Sequence, residues 1–240
     1  MVCVASRTGL NHEICEDGVL VGEEIISGSS ATLPMPETGF VCVADGVGGN
    51  KGGAHASHFI LEALADLDEG EDLFTSLERI NSDLIKKAEE TPEAYNMAST
   101  LTGVYHSSDC DQLIHVGNTR AYIRQGKYLK QITSDHTTYN WLRCSGQIEA
   151  AEMCNKNEIT NCFGGAKEEY LSKLIVDVLP PFSLMVLTSD GVHEHVDLDT
   201  LEDMLSGEGE YIDKCEAILD EAIINGSEDD MTIVVIDAER

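Results

Sequence analysis

Two apolar runs in this chain stop on the same pair of residues. FVCVA, residues 40–44, runs into Asp45-Gly46, and SLMVLTS, residues 183–189, runs into Asp190-Gly191. Short continuous apolar runs bounded by glycine and by Asp-Gly read as buried strands. A sheet built from such strands must bury its faces, so the chain has to supply further layers.

The remaining sequence supplies them. GVLVG at 18–22 is a short strand, and residues 27–38, rich in Ser, Thr and Pro, read as a loop. Phe59, Ile60, Ala63, Leu64 and Leu67 fall at helical spacing and predict a helix over 53–67. Leu73, Leu77, Ile80, Leu84 and Ile85 predict a second over 71–90, with Pro92 just beyond its end. Four strands follow, at 99–106, 112–118, 119–125 and 127–133, and read as a meander of antiparallel hairpins turning at SSDCD, Gly117-Asn118 and Gln125-Gly126. Residues 134–168 are a polar, partly helical insertion. Strands at 174–179, 183–189 and 231–238 and helices at 197–205 and 211–224 complete the chain. The fold class is α+β: two mostly antiparallel sheets packed together, with helices outside. At 240 residues the chain is expected to form one domain, 1–240.

Lysine and arginine number 15 against 44 aspartates and glutamates, a formal charge of −29. Such a surface repels nucleic acid and anionic membranes. The acid either keeps the protein in solution or is partly neutralised by bound cations. No apolar run is long enough to span a bilayer, and the N-terminus lacks a basic stretch followed by an apolar one, so the expected location is cytoplasmic. Eight cysteines without a Cys-x-x-Cys spacing read as reduced thiols.

Acidic residues gather at strand ends. Glu16 and Asp17 precede the first strand, Asp45 follows the second, Asp190 follows the strand at 183–189, and Asp229 and Asp230 precede the last. Antiparallel pairing within each couple would bring Glu16 and Asp17 to Asp45, and Asp190 to Asp229. Carboxylates at that density repel one another unless protonated or bridged by a cation. An all-oxygen set suits Mg²⁺ or Mn²⁺. Gly46, Gly48 and Gly49 would let backbone approach an ion or a phosphate. Asp-Gly after a strand is also an ordinary turn, and spacing alone leaves the two readings level.

The motifs resemble those of the metal-dependent protein serine/threonine phosphatases, the PPM or type 2C family, in its compact bacterial form. ICEDGVLV, VADGVGGNKGG, MASTLTG, VGNTRAYI, KYLKQITSDHT, TSDGVHEHV and SEDDMTIVVI match the family's motifs in order, from about residue 5 to 238. The resemblance implies a β-sandwich of two antiparallel sheets flanked by helices, with a variable flap at 134–168. It implies two Mg²⁺ or Mn²⁺ ions held by Asp45, the Gly46 carbonyl, Asp190 and Asp229, with Glu16 and Asp17 acting partly through water. Glu194 would orient such a water. The implied activity is hydrolysis of phosphoserine and phosphothreonine by a water that both ions activate. The implied partners are phosphoprotein substrates and an opposing kinase, with the chain acting as a monomer.

Three positions depart from the family pattern. His12 stands where an arginine usually holds the substrate phosphate, which implies weaker phosphate binding. Asn118 replaces the aspartate of a third metal site, which implies that this site is weak or absent. Asp230 replaces an asparagine. The first two departures suggest the alternative of a catalytically silent phosphatase-like domain that binds a protein partner; a second alternative is a phosphatase of small phosphate esters. His193-x-His195 places its rings on different sides of a helix, against a shared metal. His136 either assists at the site or caps a turn. Trp141 is expected to serve packing.

Overall fold

The computed structural model describes residues 1–47, 51–68, 70–90 and 97–239. Gly48, Gly49 and Pro92, named above, lie outside the described residues. Among the described residues, fourteen strands form two antiparallel sheets. One sheet has the order β10 (Tyr128–Gln131), β9 (Arg120–Gln125), β13 (Leu184–Thr188), β14 (Met231–Asp237), β1 (Val2–Arg7) and β4 (Ser30–Leu33). The other runs β11 (Phe163–Gly164), β6 (Ala98–Ser99), β5 (Gly39–Val47), β7 (Leu101–His106), β8 (Gln112–Val116) and β12 (Ile175–Val178). In addition, β2 (Asp17–Val21) pairs with both β5 and β3 (Glu24–Ile26).

The unbroken apolar runs have a simple cause: both faces of the central strands are covered. In β5, Val41 and Val43 point between the sheets, where they meet Val4, Val19, Leu187 and Val234. Phe40, Cys42 and Ala44 point the other way, under α1 (Lys51–Ala65) and α2 (Leu73–Glu90), against Ile60, Leu64 and Leu77. Strand β14 divides likewise. Its Val234 and Ile236 face the other sheet. Ile233 and Val235 face the helical side, with Val192 of α5 (Asp190–His193), Leu201 of α6 (Leu198–Leu205) and Ile218 of α7 (Tyr211–Ile224). The period of two survives, but water sees neither side, so polar alternation is absent. Side-chain caps fix three helix starts among the described residues: Asp72 accepts from the Thr75 N–H before α2, Thr137 from the Asn140 N–H before α3 (Thr138–Cys144), and Asp197 from the Thr200 N–H before α6. Within 134–168, α3 is followed by α4 (Ile148–Met153) and a 3₁₀ turn begins at Glu168. No helix among the described residues is long and apolar enough to cross a membrane.

Two expectations need correction. The strands at 101–106, 112–116, 120–125 and 128–131 are not one meander. β7 pairs with β8 and β9 with β10, but β8 lies in one sheet and β9 in the other. Gly117-Asn118 is therefore a crossing between layers, not a hairpin turn. Strand β4 lies within 27–38, which was expected to be loop. Its half-exposed edge position tolerates the Ser and Thr that suggested one. Residues 2–7 form β1, one strand in from the edge of its sheet, between β14 and β4.

A candidate dimetal centre where two sheets meet

Strand pairing brings the acidic residues together. In the β2–β5 ladder Asp17 is the direct partner of Asp45. In the β13–β14 ladder Thr188 pairs with Ile233, so Asp190 emerges beside the Asp229–Asp230 approach to β14. The two ladders belong to different sheets, and a hydroxyl joins them: Ser189 Oγ donates to Asp17 Oδ2 at 2.8 Å. Asp17 is buried, and its second oxygen, Oδ1, has no protein partner.

Each acidic group is held by its own element. The Asp45 N–H donates to Thr100 Oγ1 at 3.1 Å, while its carbonyl accepts from the Thr100 N–H and from Ser99 Oγ, both at 2.9 Å. Asp190 opens α5 and accepts from Asn118 Nδ2 at 2.9 Å. Glu16 is buried against the start of α1, where its carbonyl accepts from Ser57 Oγ at 2.6 Å. Glycine is required at that approach. A Cβ on Gly46 would lie 2.4 Å from the backbone of Gly53, and one on Gly53 would lie 2.4 Å from Glu16 Oε2. Asp229 is exposed at the rim.

The electrostatics record the crowding. Burial pushes the Asp45 carboxyl well above the ordinary range, and Asp190, Asp17, Asp229 and Asp230 push it further. Asp190 and Asp17 are raised by burial and then by neighbouring carboxylates. Glu16 rises to about 7 through burial, against the opposing pull of His12. Among the described residues, no lysine or arginine forms an ion pair with any of these groups. Arg7, the nearest basic residue in sequence, is committed to Glu216 and Asp220 of α7 at 2.8 and 2.6 Å. The donor set is all oxygen, it is anionic, and one buried oxygen lacks a partner. These residues fit hard divalent cations.

Around this cluster, Asp230 stitches down the β1–β2 loop. It accepts from the Gly9 N–H at 2.7 Å and the Glu16 N–H at 2.6 Å, and lies 2.9 Å from His12 Nδ1. His12, about a third exposed, thus sits beside Glu16 and Asp229. Glu194 is exposed and accepts from Asn157 Nδ2 of the 134–168 segment at 3.0 Å. His193 and His195 do not share a site: one ring contacts Thr188 Oγ1, the other the Asn225 carbonyl. Trp141 is 53% exposed and serves no packing core.

No protein-family model matches the chain. A serine/threonine phosphatase, Stp, from Listeria welshimeri is 26% identical over 211 residues, 82% of this chain and 83% of that protein. The crystal structure of the Mycobacterium tuberculosis serine/threonine phosphatase PstP/Ppp aligns over all of both chains, with a TM-score of 0.79 and 26% identity. A structure of the PstP catalytic domain in complex with two manganese ions covers 99% of this chain and is covered to 97%, with a TM-score of 0.74 and 25% identity. The chain has the fold of the PPM, or type 2C, phosphatases. Within this fold, Glu16, Asp17, Asp45, Asp190 and Asp229 come together from their strand ends, and Asn118 joins them as a donor to Asp190. Motif reading passed over Thr100 and Ser189, the hydroxyls that tie the two ladders and the Asp45 backbone together. The Ser of Ser-Asp-Gly carried the only local signal, a polar residue closing an apolar strand.

Proposed function

We propose that this chain is a Mg²⁺- or Mn²⁺-dependent phosphatase of phosphoserine and phosphothreonine in proteins. The observation that carries the reading is the register of Asp17 on Asp45, with Asp190 brought to the same place from the other sheet. Asp45, the Gly46 carbonyl, Asp190 and Asp229 would hold two ions, with Glu16 and Asp17 beside them. When bound, such ions lower the pKa of a shared water and offset charge on the phosphoryl oxygens. The chain's own residues then have defined tasks. Ser189 and Asn118 orient Asp17 and Asp190 through the hydrogen bonds above. Asp230 fixes the loop that carries Glu16 and His12. His12, beside Glu16 and Asp229, would meet the substrate phosphate. Glu194, at the rim, would orient a bound water. The chain is read as one phosphatase domain, with 134–168 as a flap whose Asn157 touches Glu194. A serine/threonine kinase would supply the substrates, and the enzyme would act as a monomer in the cytoplasm.

Assay against p-nitrophenyl phosphate and phosphopeptides tests this reading. Turnover is expected with Mn²⁺ and is expected to vanish in excess chelator; hydrolysis indifferent to chelator would refute it. His12→Arg is expected to lower KM by about tenfold, since a fork of charged donors gains roughly 1.5 kcal/mol or more over one imidazole. An unchanged KM would remove His12 from phosphate binding.

A further inference from the structure

The crossing from β8 to β9, residues Gly117–Thr119, touches a proposed ligand from each sheet. Asn118 donates to Asp190. Thr119 Oγ1 shares a 2.7 Å hydrogen bond with Thr100 Oγ1, the same oxygen that accepts from the Asp45 N–H. The crossing is tight. Gly117 has φ +111°, and a Cβ there would lie 2.5 Å from the Thr100 side chain.

One residue at the root of the 134–168 segment grips this crossing twice. The His136 N–H donates to the Gly117 carbonyl at 2.7 Å, and His136 Nδ1 accepts the Gly117 N–H at 3.1 Å. The ring is buried and packs, tilted by 39°, on His115 at 4.8 Å between centroids. His115 in turn meets Thr102 Oγ1 at 2.9 Å, and Thr102 Oγ1 donates to the Thr119 carbonyl at 3.0 Å. Accepting at Nδ1 requires a neutral ring with its hydrogen on Nε2. Burial, His115 and Lys173 push the His136 pKa down to about 4, which agrees with that state.

We propose that His136 is a positioning residue of the dimetal centre: its Nδ1 holds the Gly117 N–H so that the crossing keeps the Asn118 amide on Asp190. The proposal rests on the phosphatase reading for its kinetic consequence, and on geometry alone for the hydrogen bond. Groups that orient ligands from one step back typically contribute 10–100-fold in metal affinity or activity.

Three variants separate this role from simple filling of space. His136→Asn places an amide oxygen near the position of Nδ1, His136→Gln places its polar atoms near that of Nε2, and His136→Leu has no polar atom at all. The expected result is kcat close to wild type for His136→Asn, and a loss of about 10–100-fold for the other two with KM for p-nitrophenyl phosphate unchanged. Calorimetric titration with Mn²⁺ should weaken in the same order. In the wild type, imidazole ¹⁵N shifts should show His136 as the Nε2–H tautomer. Equal kcat and equal Mn²⁺ affinity in all three folded variants would overturn the proposal, as would loss in His136→Asn matching that in His136→Leu. If the variants do not fold, an Nδ1–H tautomer in the wild type overturns it and an Nε2–H tautomer supports it. An inactive wild type would instead sink the phosphatase reading, leaving the tautomer and the Mn²⁺ titration to judge this one.

Discussion

Asp45→Asn is expected to abolish most phosphatase activity while making the metal-free protein more stable. The two effects share one cause. Asp45 is the register partner of Asp17, and its carboxyl is held far above the ordinary range by burial and by four neighbouring aspartates. Without cations those charges oppose one another, so replacing one by a neutral amide of the same shape relieves repulsion. The same replacement removes the anion placed between the two ladders, where two cations would otherwise be shared. Loss of kcat/KM by about 100-fold or more follows, since groups one step behind a metal ligand already contribute about 10–100-fold. In chelator the melting temperature should rise, by about 2–4 °C for each kcal/mol of repulsion removed. Steady-state kinetics and a thermal melt in chelator check both. A variant that keeps its activity, or that melts lower than wild type without metal, would show that Asp45 does not sit among opposing charges.

The second large effect is a reversal of the usual pH dependence. Most acidic groups in folded proteins have depressed pKa values and favour folding as pH rises. Here Glu16 stands at about 7, and Asp17, Asp45 and Asp190 are all raised, against about 4 in an unfolded chain. Between those values the folded state holds protons that the unfolded state releases, so unfolding becomes easier as pH increases. The stabilisation is complete below about pH 4 and is lost as pH climbs through the folded values. In chelator, stability measured by urea unfolding is therefore expected to fall between about pH 5 and 8, by on the order of a few kcal/mol. Mn²⁺ at pH 8 should restore it, by about 2.7 kcal/mol at a concentration 100 times Kd. A flat or rising profile in chelator would mean that the carboxylates are not forced together in the folded state.

The departures at His12 and Asn118, which raised the possibility of a silent domain, look different in three dimensions. Neither replaces one of the carboxylates Glu16, Asp17, Asp45, Asp190 and Asp229. Asn118 gives Asp190 a hydrogen bond where an aspartate would add a further charge. His12 lies against Asp230, the carboxylate that also holds the Gly9 and Glu16 backbone. The loop bearing the proposed phosphate-binding side chain is thus anchored to the same strand entry that carries Asp229. Arg7 offers no substitute for the missing arginine, because α7 has claimed it.

Much of this molecule is legible in one dimension because its signals are local. Apolar runs of five to seven residues marked β5 and β13, and Asp45 and Asp190 at their ends marked where a ligand set could form. Helical periodicity placed α1, α2 and α7 within about two residues. The errors fell where local pattern has two physical solutions. VGNTRAYI carries a turn-like Gly-Asn between two strands, and a hairpin and a crossing between layers use the same residues there. The choice is made by which sheet has a free edge for β9, and β13 supplies it.

The amino-acid sequence by itself determined the strands, the helices and the acidic residues at strand ends, because side-chain alternation and turn chemistry act over a few bonds. Only the tertiary structure decided that Asp17 pairs with Asp45, that Ser189 reaches across to Asp17, and that His136 grips Gly117. Those contacts join residues 28, 172 and 19 positions apart. They are set by the pairing of whole ladders and by the burial that drives two sheets together, and no short stretch of chain contains that information.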